Sequence, residues 1–347
     1  VIEGKITDEE GYQSIFVSRS SMVSDPQKLP VSDCKVRIYN GEGNVFHANE
    51  YEQGTYNAYI EEQYLETGSV YWIEITTPEG ELLRSDKDTL RHCSEIDSIY
   101  YQVDEFVGDN PDAYIPGIQF YVNYDGKQTN SRRIKYEIEE TWEYESLYPI
   151  QWIWDGFRLT TYETPDYSKY VCWQTQISSD IYMLSTGNLN SNQYNQYPLH
   201  HILNYSSKIQ IGYSLLVKQL SISESAYLYF EKIRDNVIES GGLYEAQPQQ
   251  VEGNIINVTD PGKRVLGYFY TAGKHEKRIF ISKVEGLELA PIIPCSPVAL
   301  DLGYGILRNL DKPVYLWLEE GTYLLPDLCV DCTVRGGSTQ KPDFWPN

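Results

Sequence analysis

Across 347 residues, 28 Lys and Arg stand against 50 Asp and Glu, a net charge of −22. Such a surface repels phosphate backbones and anionic lipid, which argues against nucleic-acid binding and peripheral docking on acidic membranes. No run of 18 apolar residues occurs, so no segment reads as a bilayer-spanning helix, and the length suits two domains of ordinary size.

In chain order the signals are mostly those of strands. Residues 34–39 (CKVRIY) and 69–77 (SVYWIEITT) alternate with period two, and GTYNAYI at 54–60 lies between them. Asn40-Gly41, Asp125-Gly126 and Asp155-Gly156 each separate apolar runs, the short-range hairpin signal. Pro78-Glu79-Gly80 marks another hairpin. In residues 132–142 (RRIKYEIEETW) one face carries Ile134, Tyr136, Ile138, Glu140 and Trp142. The stretch 186–200 (TGNLNSNQYNQYPLH) has neither period and reads as a long polar loop, and residues 208–217 read as a buried strand.

One segment reads as a long helix, about 222–239. Ser221 and Glu224 stand in the spacing of a capping box. Ala226, Phe230, Ile233 and Val237 recur on one helical face, and Gly241-Gly242 supplies a left-handed stop. The expectation is a mainly β protein, with a β-sandwich over residues 1–95 and a larger β-rich domain over 96–347 carrying this one inserted helix. Polar RHCSEID at 91–97 marks the boundary.

Six cysteines, an even number, suit an oxidising compartment. The disulfide candidates are Cys34, Cys93, Cys172, Cys295, Cys329 and Cys332. Cys34 is expected to pair with Cys93 inside the first domain. The C-x2-C pair Cys329 and Cys332 is expected to reach back to Cys172 and Cys295, because long closed loops restrict the unfolded chain most. A zinc site would need two more soft ligands at suitable spacing, so no metal and no cofactor are expected. His200-His201, in a polar stretch, reads as a solvated feature.

No nucleophile elbow, H-E-x-x-H, phosphate loop or EF-hand loop occurs, so no catalytic residue is assigned and the protein is expected not to be an enzyme. Fifty carboxylates guarantee chance pairs, which leaves a glycosidase dyad unreadable. The site-like signal is aromatic. Trp142, Tyr144, Tyr148, Trp152 and Trp154 crowd together, with Trp152 and Trp154 on one face ahead of the Asp155-Gly156 turn. Such a group is either core or a recognition surface. Tyr148, Trp152 and Trp154, with Tyr194 and Tyr197 of the polar stretch, are the candidate contacts for a partner or ligand.

Two resemblances follow. PVSDCKVRIYNGEGNVF and SVYWIEITTPEGELLRS resemble the small sandwich of prealbumin-like and carboxypeptidase-regulatory-like domains, Ig-like Greek keys that usually serve as spacers or docking modules. The order of VIEGKITDEEG, KYEIEETWEYES, SISESAYLYFEKIRDNVIESGGLYEAQPQQVEGN, VLGYFYTAG and CVDCTVRGGSTQKPDFWP resembles domain-of-unknown-function 4249, a Bacteroidota family, over nearly the whole chain. Cys34 and Cys93 have no counterpart in that resemblance.

The family's members are exported lipoproteins, often encoded beside TonB-dependent transporters. The resemblance therefore implies an outer-membrane protein facing the cell exterior, held by a lipidated Cys upstream of Val1 after removal of a signal peptide. It implies a TonB-dependent outer-membrane transporter, a SusC-like barrel, as partner in ligand capture or uptake. A free-standing glycan- or peptide-binding module is the alternative, and an enzyme of unrecognised type a third.

Overall fold

The computed structural model describes residues 1–21, 27, 29–108, 113–239, 251–290, 295–300, 304–318 and 321–346. Alternation builds the strands as the period predicts. Lys35–Asn40 buries Val36, Ile38 and Asn40, and Val70–Thr76 buries Tyr71, Ile73 and Ile75. The Asn40-Gly41 turn closes a hairpin to Val45–Glu52, with Asn40 Oδ1 accepting from the backbone N–H groups of Glu42 and Asn44.

Most strands join one continuous sheet. Its order runs Val171–Ile177, Arg133–Glu145, Gly212–Ser221, Gly267–Ile281, Ile2–Thr7, Gly11–Arg19, Thr55–Ile60, Val45–Glu52, Lys35–Asn40, Val70–Thr76, Leu82–Ser85, Ile255–Asn257. Neighbours are antiparallel except Ile2–Thr7 beside Gly267–Ile281, which run parallel. That pairing ties the first residues of the chain to a strand far along the sequence.

The N-terminal half of the sheet folds over on itself as a β-sandwich. Ile2, Ile15 and Tyr56 share one core with Ile38, Ile73 and Leu83, and Ile255 and Phe269 join it from far down the chain. The other half forms a second sandwich against a three-stranded sheet of Ile96–Val107, Tyr114–Asp125 and Gln193–Leu203. Phe120, Val122 and Leu199 there meet Tyr136, Ile138, Leu215 and Val217. A five-stranded sheet holds Leu159–Asp166, Ile150–Trp154, Val314–Trp317, Tyr323–Leu325 and Val298–Ala299.

The helix Glu224–Glu239 lies on the remaining face of the large sheet, where Ala226 and Tyr227 pack on Leu220, Tyr268, Tyr270 and Ala272. Its cap is Ser223, not Ser221. Ser221 is the last residue of a strand and pairs with Ile134, so the chain can turn only after it. Ser223 Oγ then accepts from the Ala226 N–H at 3.2 Å. Ala226 and Phe230 face the sheet as expected, but Val237 is 66 % exposed. Gly241 and Gly242 lie outside the described residues.

Three further expectations are corrected. The stretch 186–200 is not a loop throughout, because Gln193–Leu203 is a strand. Its alternation is broken by Gln196, at a left-handed φ of 58°, and by two register shifts against Tyr114–Asp125. Asp125-Gly126 is no hairpin, since the strands on either side belong to different sheets. The corner is held instead by the Asn192 side chain, which donates to the carbonyls of Gly126, Thr129 and Ser131. The buried strand expected at 208–217 is displaced to Gly212–Ser221, after a 3₁₀ turn at Ser207–Ile209 that Ser206 caps.

Cys329 and Cys332 reach back as expected, in the disulfides Cys295–Cys329 and Cys172–Cys332. Cys34 and Cys93 are not bonded to each other; both are free and buried. They pack in different surroundings. Cys34 lies in the first core beside the Tyr56 hydroxyl, and the Cys93 thiol sits 3.4 Å from the Gln219 carbonyl. Burial pushes both thiols up, away from the reactive thiolate. A chromogenic disulfide reagent should therefore release two equivalents only after denaturation, and fast reaction in the native protein would contradict the packing.

Candidate functional site

The aromatic candidates fall into separate layers. Trp142 and Tyr144 belong to the core of the second sandwich. Trp152 and Trp154 do share a face, and it packs half-buried on Leu307, Val314 and Leu316. The Trp152 ring meets Trp317 edge-on at 5.6 Å, and Tyr148 lies 5.0 Å from the same ring. Tyr197 stacks on Tyr136 and bonds through its hydroxyl to the Met183 backbone, while Tyr194 stays on the surface. The five candidates thus divide between the five-stranded sheet, on which Tyr148 packs and which holds Trp152 and Trp154, and the three-stranded sheet that holds Tyr194 and Tyr197.

Asp155-Gly156 does end a hairpin, between Ile150–Trp154 and Leu159–Asp166. Asp155 accepts from the Phe157 and Arg158 N–H groups, Gly156 takes a φ of 104°, and the turn lifts Phe157 to 93 % exposure. Phe157, rather than either Trp, is the exposed aromatic at this tip. Trp152→Ala should lower stability by about 2 kcal/mol, since a half-buried ring loses part of its packing. Phe157→Ala should leave the urea midpoint unchanged, and a shift as large as that of Trp152→Ala would contradict this placement.

A different site emerges between the helix and the two halves of the large sheet. A groove of about 500 Å³ is floored by Lys135, Glu137, Tyr268 and Tyr270. Tyr229, Phe230 and Ile233 of the helix form one wall, and Tyr12, Ser14 and Phe16 the other. That volume is ordinary for a small-molecule site. The residues are those that alternation turns away from the sandwich cores, so the groove follows from the same period that fills the cores. Tyr229 stacks on Tyr268 at 4.4 Å, and Phe230 meets Tyr270 edge-on at 5.2 Å, which fixes both walls to the floor.

Charge in the groove runs against that of the chain. Lys5, Lys135, Lys218 and Lys274 line it, with Glu3 and Glu137. Glu137 accepts from Lys5 and Lys135, each at 2.7 Å. Burial pushes its carboxyl up, but the two ammonium groups outweigh this and bring it down to about 2. The Lys135 ammonium also lies 4.6 Å from the Phe230 ring and 3.4 Å from the Tyr270 hydroxyl. At the rim Lys274 pairs with Glu9 and Glu276, and Lys218 stands 3.8 Å from Glu139. Beside the mouth, Tyr12 is 72 % exposed and its ring meets Tyr59 edge-on at 5.3 Å.

A second polar cluster lies between the layers of the second sandwich, with Glu140 and Tyr213 buried and His200 and Lys208 partly exposed. Glu140 accepts from His200 Nε2 at 3.0 Å, Lys208 Nζ at 2.6 Å and the Tyr213 hydroxyl at 2.9 Å. Tyr182 closes the chain with its hydroxyl 3.1 Å from His200 Nδ1. His201, the next residue, turns to the opposite face and stacks on Phe106, so the histidine pair does not converge. With Glu140 on the large sheet and His200 on the three-stranded one, the cluster pins two layers together.

These elements define a protein of two β-sandwiches on one sheet, with a helix-roofed groove at their junction. The profile of the family described as "Domain of unknown function (DUF4249)" matches residues 1–278, four-fifths of the chain, and the protein belongs to that family. The match takes in the first sandwich, the helix, every groove residue and the second sandwich up to residue 278, short of its core residues Ile281, Val284 and Cys332. It stops before Cys295, Cys329 and Cys332, so the tail's resemblance lies outside it. No curated protein matches the chain.

Proposed function

We propose that this protein is a non-catalytic lipoprotein of the outer-membrane surface that captures a ligand in the helix-roofed groove and serves a TonB-dependent transporter. The groove is the observation that carries the reading. It is largely preformed, and its aromatic walls and few charged groups are what a binding site requires. The family resemblance is what suggests the compartment and the barrel partner. The exposed Phe157 hairpin and Tyr194 offer anchors for that partner, away from the groove residues.

The test is affinity purification of the tagged full-length precursor from its native membrane. An outer-membrane barrel should copurify in stoichiometric amount, and Phe157→Ala should weaken its recovery while the protein stays folded. Recovery of the lipoprotein without any barrel, at native abundance and in mild detergent, would leave a free-standing binding module. Turnover of a polysaccharide, peptide or ester substrate, abolished by one substitution, would remove the non-catalytic reading.

A further inference from the structure

The groove also carries information about its occupant, on the reading that it is the capture site. We propose that it takes an acidic saccharide, a sugar ring bearing a carboxylate or sulfate, with the anionic group on Lys5 and Lys135 and a ring face on Tyr12. Three observations lead there. Hydrogen-bond donors outnumber acceptors on the floor. Two ammonium groups share the single carboxylate of Glu137, and among the described residues the buried Tyr270 hydroxyl has no acceptor for its own proton. A ligand rich in acceptor oxygens would satisfy them.

Local charge is the second observation. The chain carries −22, yet on the groove's lining four lysines meet two carboxylates, Glu3 and Glu137. With Glu9, Glu139 and Glu276 bonded to the lysines at the rim the groove is close to neutral, and charges beyond about 8 Å are screened at physiological salt, so an anion meets less repulsion here than over the rest of this acidic surface. Third, Tyr12 and Phe16 stand outward on one face of Gly11–Arg19, beside the mouth, with Tyr12 propped by Tyr59. An exposed flat ring suits the polarised C–H face of a pyranose. An acidic peptide fits less well. The backbone of Gly267–Ala272 pairs with Ile2–Thr7 on one side and is bonded by the Asn254 and Asp88 side chains on the other, which leaves a peptide backbone little to pair with there.

Isothermal titration of the whole chain should show binding of trigalacturonate or of a sulfated galactose trimer, and the two arms tell carboxylate from sulfate. Maltotriose and triglutamate should not bind. Binding should weaken with added salt. Lys135→Ala and Tyr12→Ala should each lower affinity about tenfold or more, the loss expected for a charge-assisted contact. Lys135→Arg should recover part of it. Lys127→Ala, at an exposed site in the other half of the protein, should change nothing. Melting curves confirm that each variant is folded. Failure of both acidic trimers to bind overturns the ligand class, as does equal binding of maltotriose. Binding of triglutamate that Lys135→Ala abolishes would keep the capture site and replace its ligand with a peptide. Barrel copurification is read separately and decides the transporter reading whichever trimer binds.

Discussion

Glu140→Gln is expected to cost about 3 kcal/mol of folding stability at neutral pH, read as a lower urea midpoint with unchanged slope. The carboxylate is 2 % exposed and holds three partners at once: His200, Lys208 and Tyr213. Removing one member of a buried charged set leaves the others desolvated without compensation, typically 3–5 kcal/mol. Lys208 keeps partial access to water and rests over the Trp142 ring, which places the loss toward the lower end. Glu140→Gln combined with Lys208→Met should recover part of it, because the orphaned ammonium goes too.

The same carboxyl gives the fold an acid limit. Burial alone would push it up, but the hydrogen bonds and charges of His200 and Lys208 outweigh burial and bring it down to about 2. In the unfolded chain a glutamate binds its proton near 4.3. Its folded pKa is thus depressed, so its contribution is complete above the unfolded value and disappears as pH falls through the folded one. The size is about 3 kcal/mol, lost between about pH 5 and pH 2. Glu137 adds loss in the same window, for it too is drawn down to about 2. Stability of the native protein should therefore fall more steeply over that window than that of Glu140→Gln. Parallel pH profiles for the two would show that Glu140 titrates alike in both states.

The strands were legible where period and turn chemistry agreed. Lys35–Asn40 and Val70–Thr76 alternate cleanly, and Asn40-Gly41 names its own hairpin. Gln193–Leu203 was not, because its bulges move side chains from face to face and erase the period. Glu140 was the one visible sign of the buried cluster, a carboxylate on the otherwise apolar face of Arg133–Glu145. Its partners lie sixty or more residues away, where no local pattern reaches. The groove left still less trace. Its residues come from residues 3–16, 135–137, 218–233 and 268–274, and each looks like an ordinary outward position. Net charge concealed it further, because −22 is a sum and the four lysines meet only in three dimensions. The aromatic cluster at 142–154 was visible because it is local, yet the chain divides it between two layers.

Breaking the Cys172–Cys332 disulfide should be the most costly double substitution. It closes a separation of 160 residues, against 34 for Cys295–Cys329. In the loop-entropy model these restrict the unfolded chain by about 5 and about 4 kcal/mol. Native contacts widen the gap. Cys172 belongs to the strand Val171–Ile177, which ends the order of the large sheet, and Cys332 opens the 3₁₀ turn Cys332–Arg335. The tail is stitched to that strand by two backbone bonds between Trp173 and Ser338, and to its neighbour Arg133–Glu145 by the Tyr144 hydroxyl on the Cys332 carbonyl and by Trp345 Nε1 on Glu143. It shields a strand edge that could otherwise pair with another chain. Cys172→Ala with Cys332→Ala should therefore lower the denaturation midpoint more than Cys295→Ala with Cys329→Ala. It should also expose the last residues to carboxypeptidase and raise aggregation at equal concentration, while the other pair leaves the tail protected. The reverse order of midpoints, or a protease-resistant tail after loss of the Cys172–Cys332 bond, would show that the noncovalent stitches hold the edge without it.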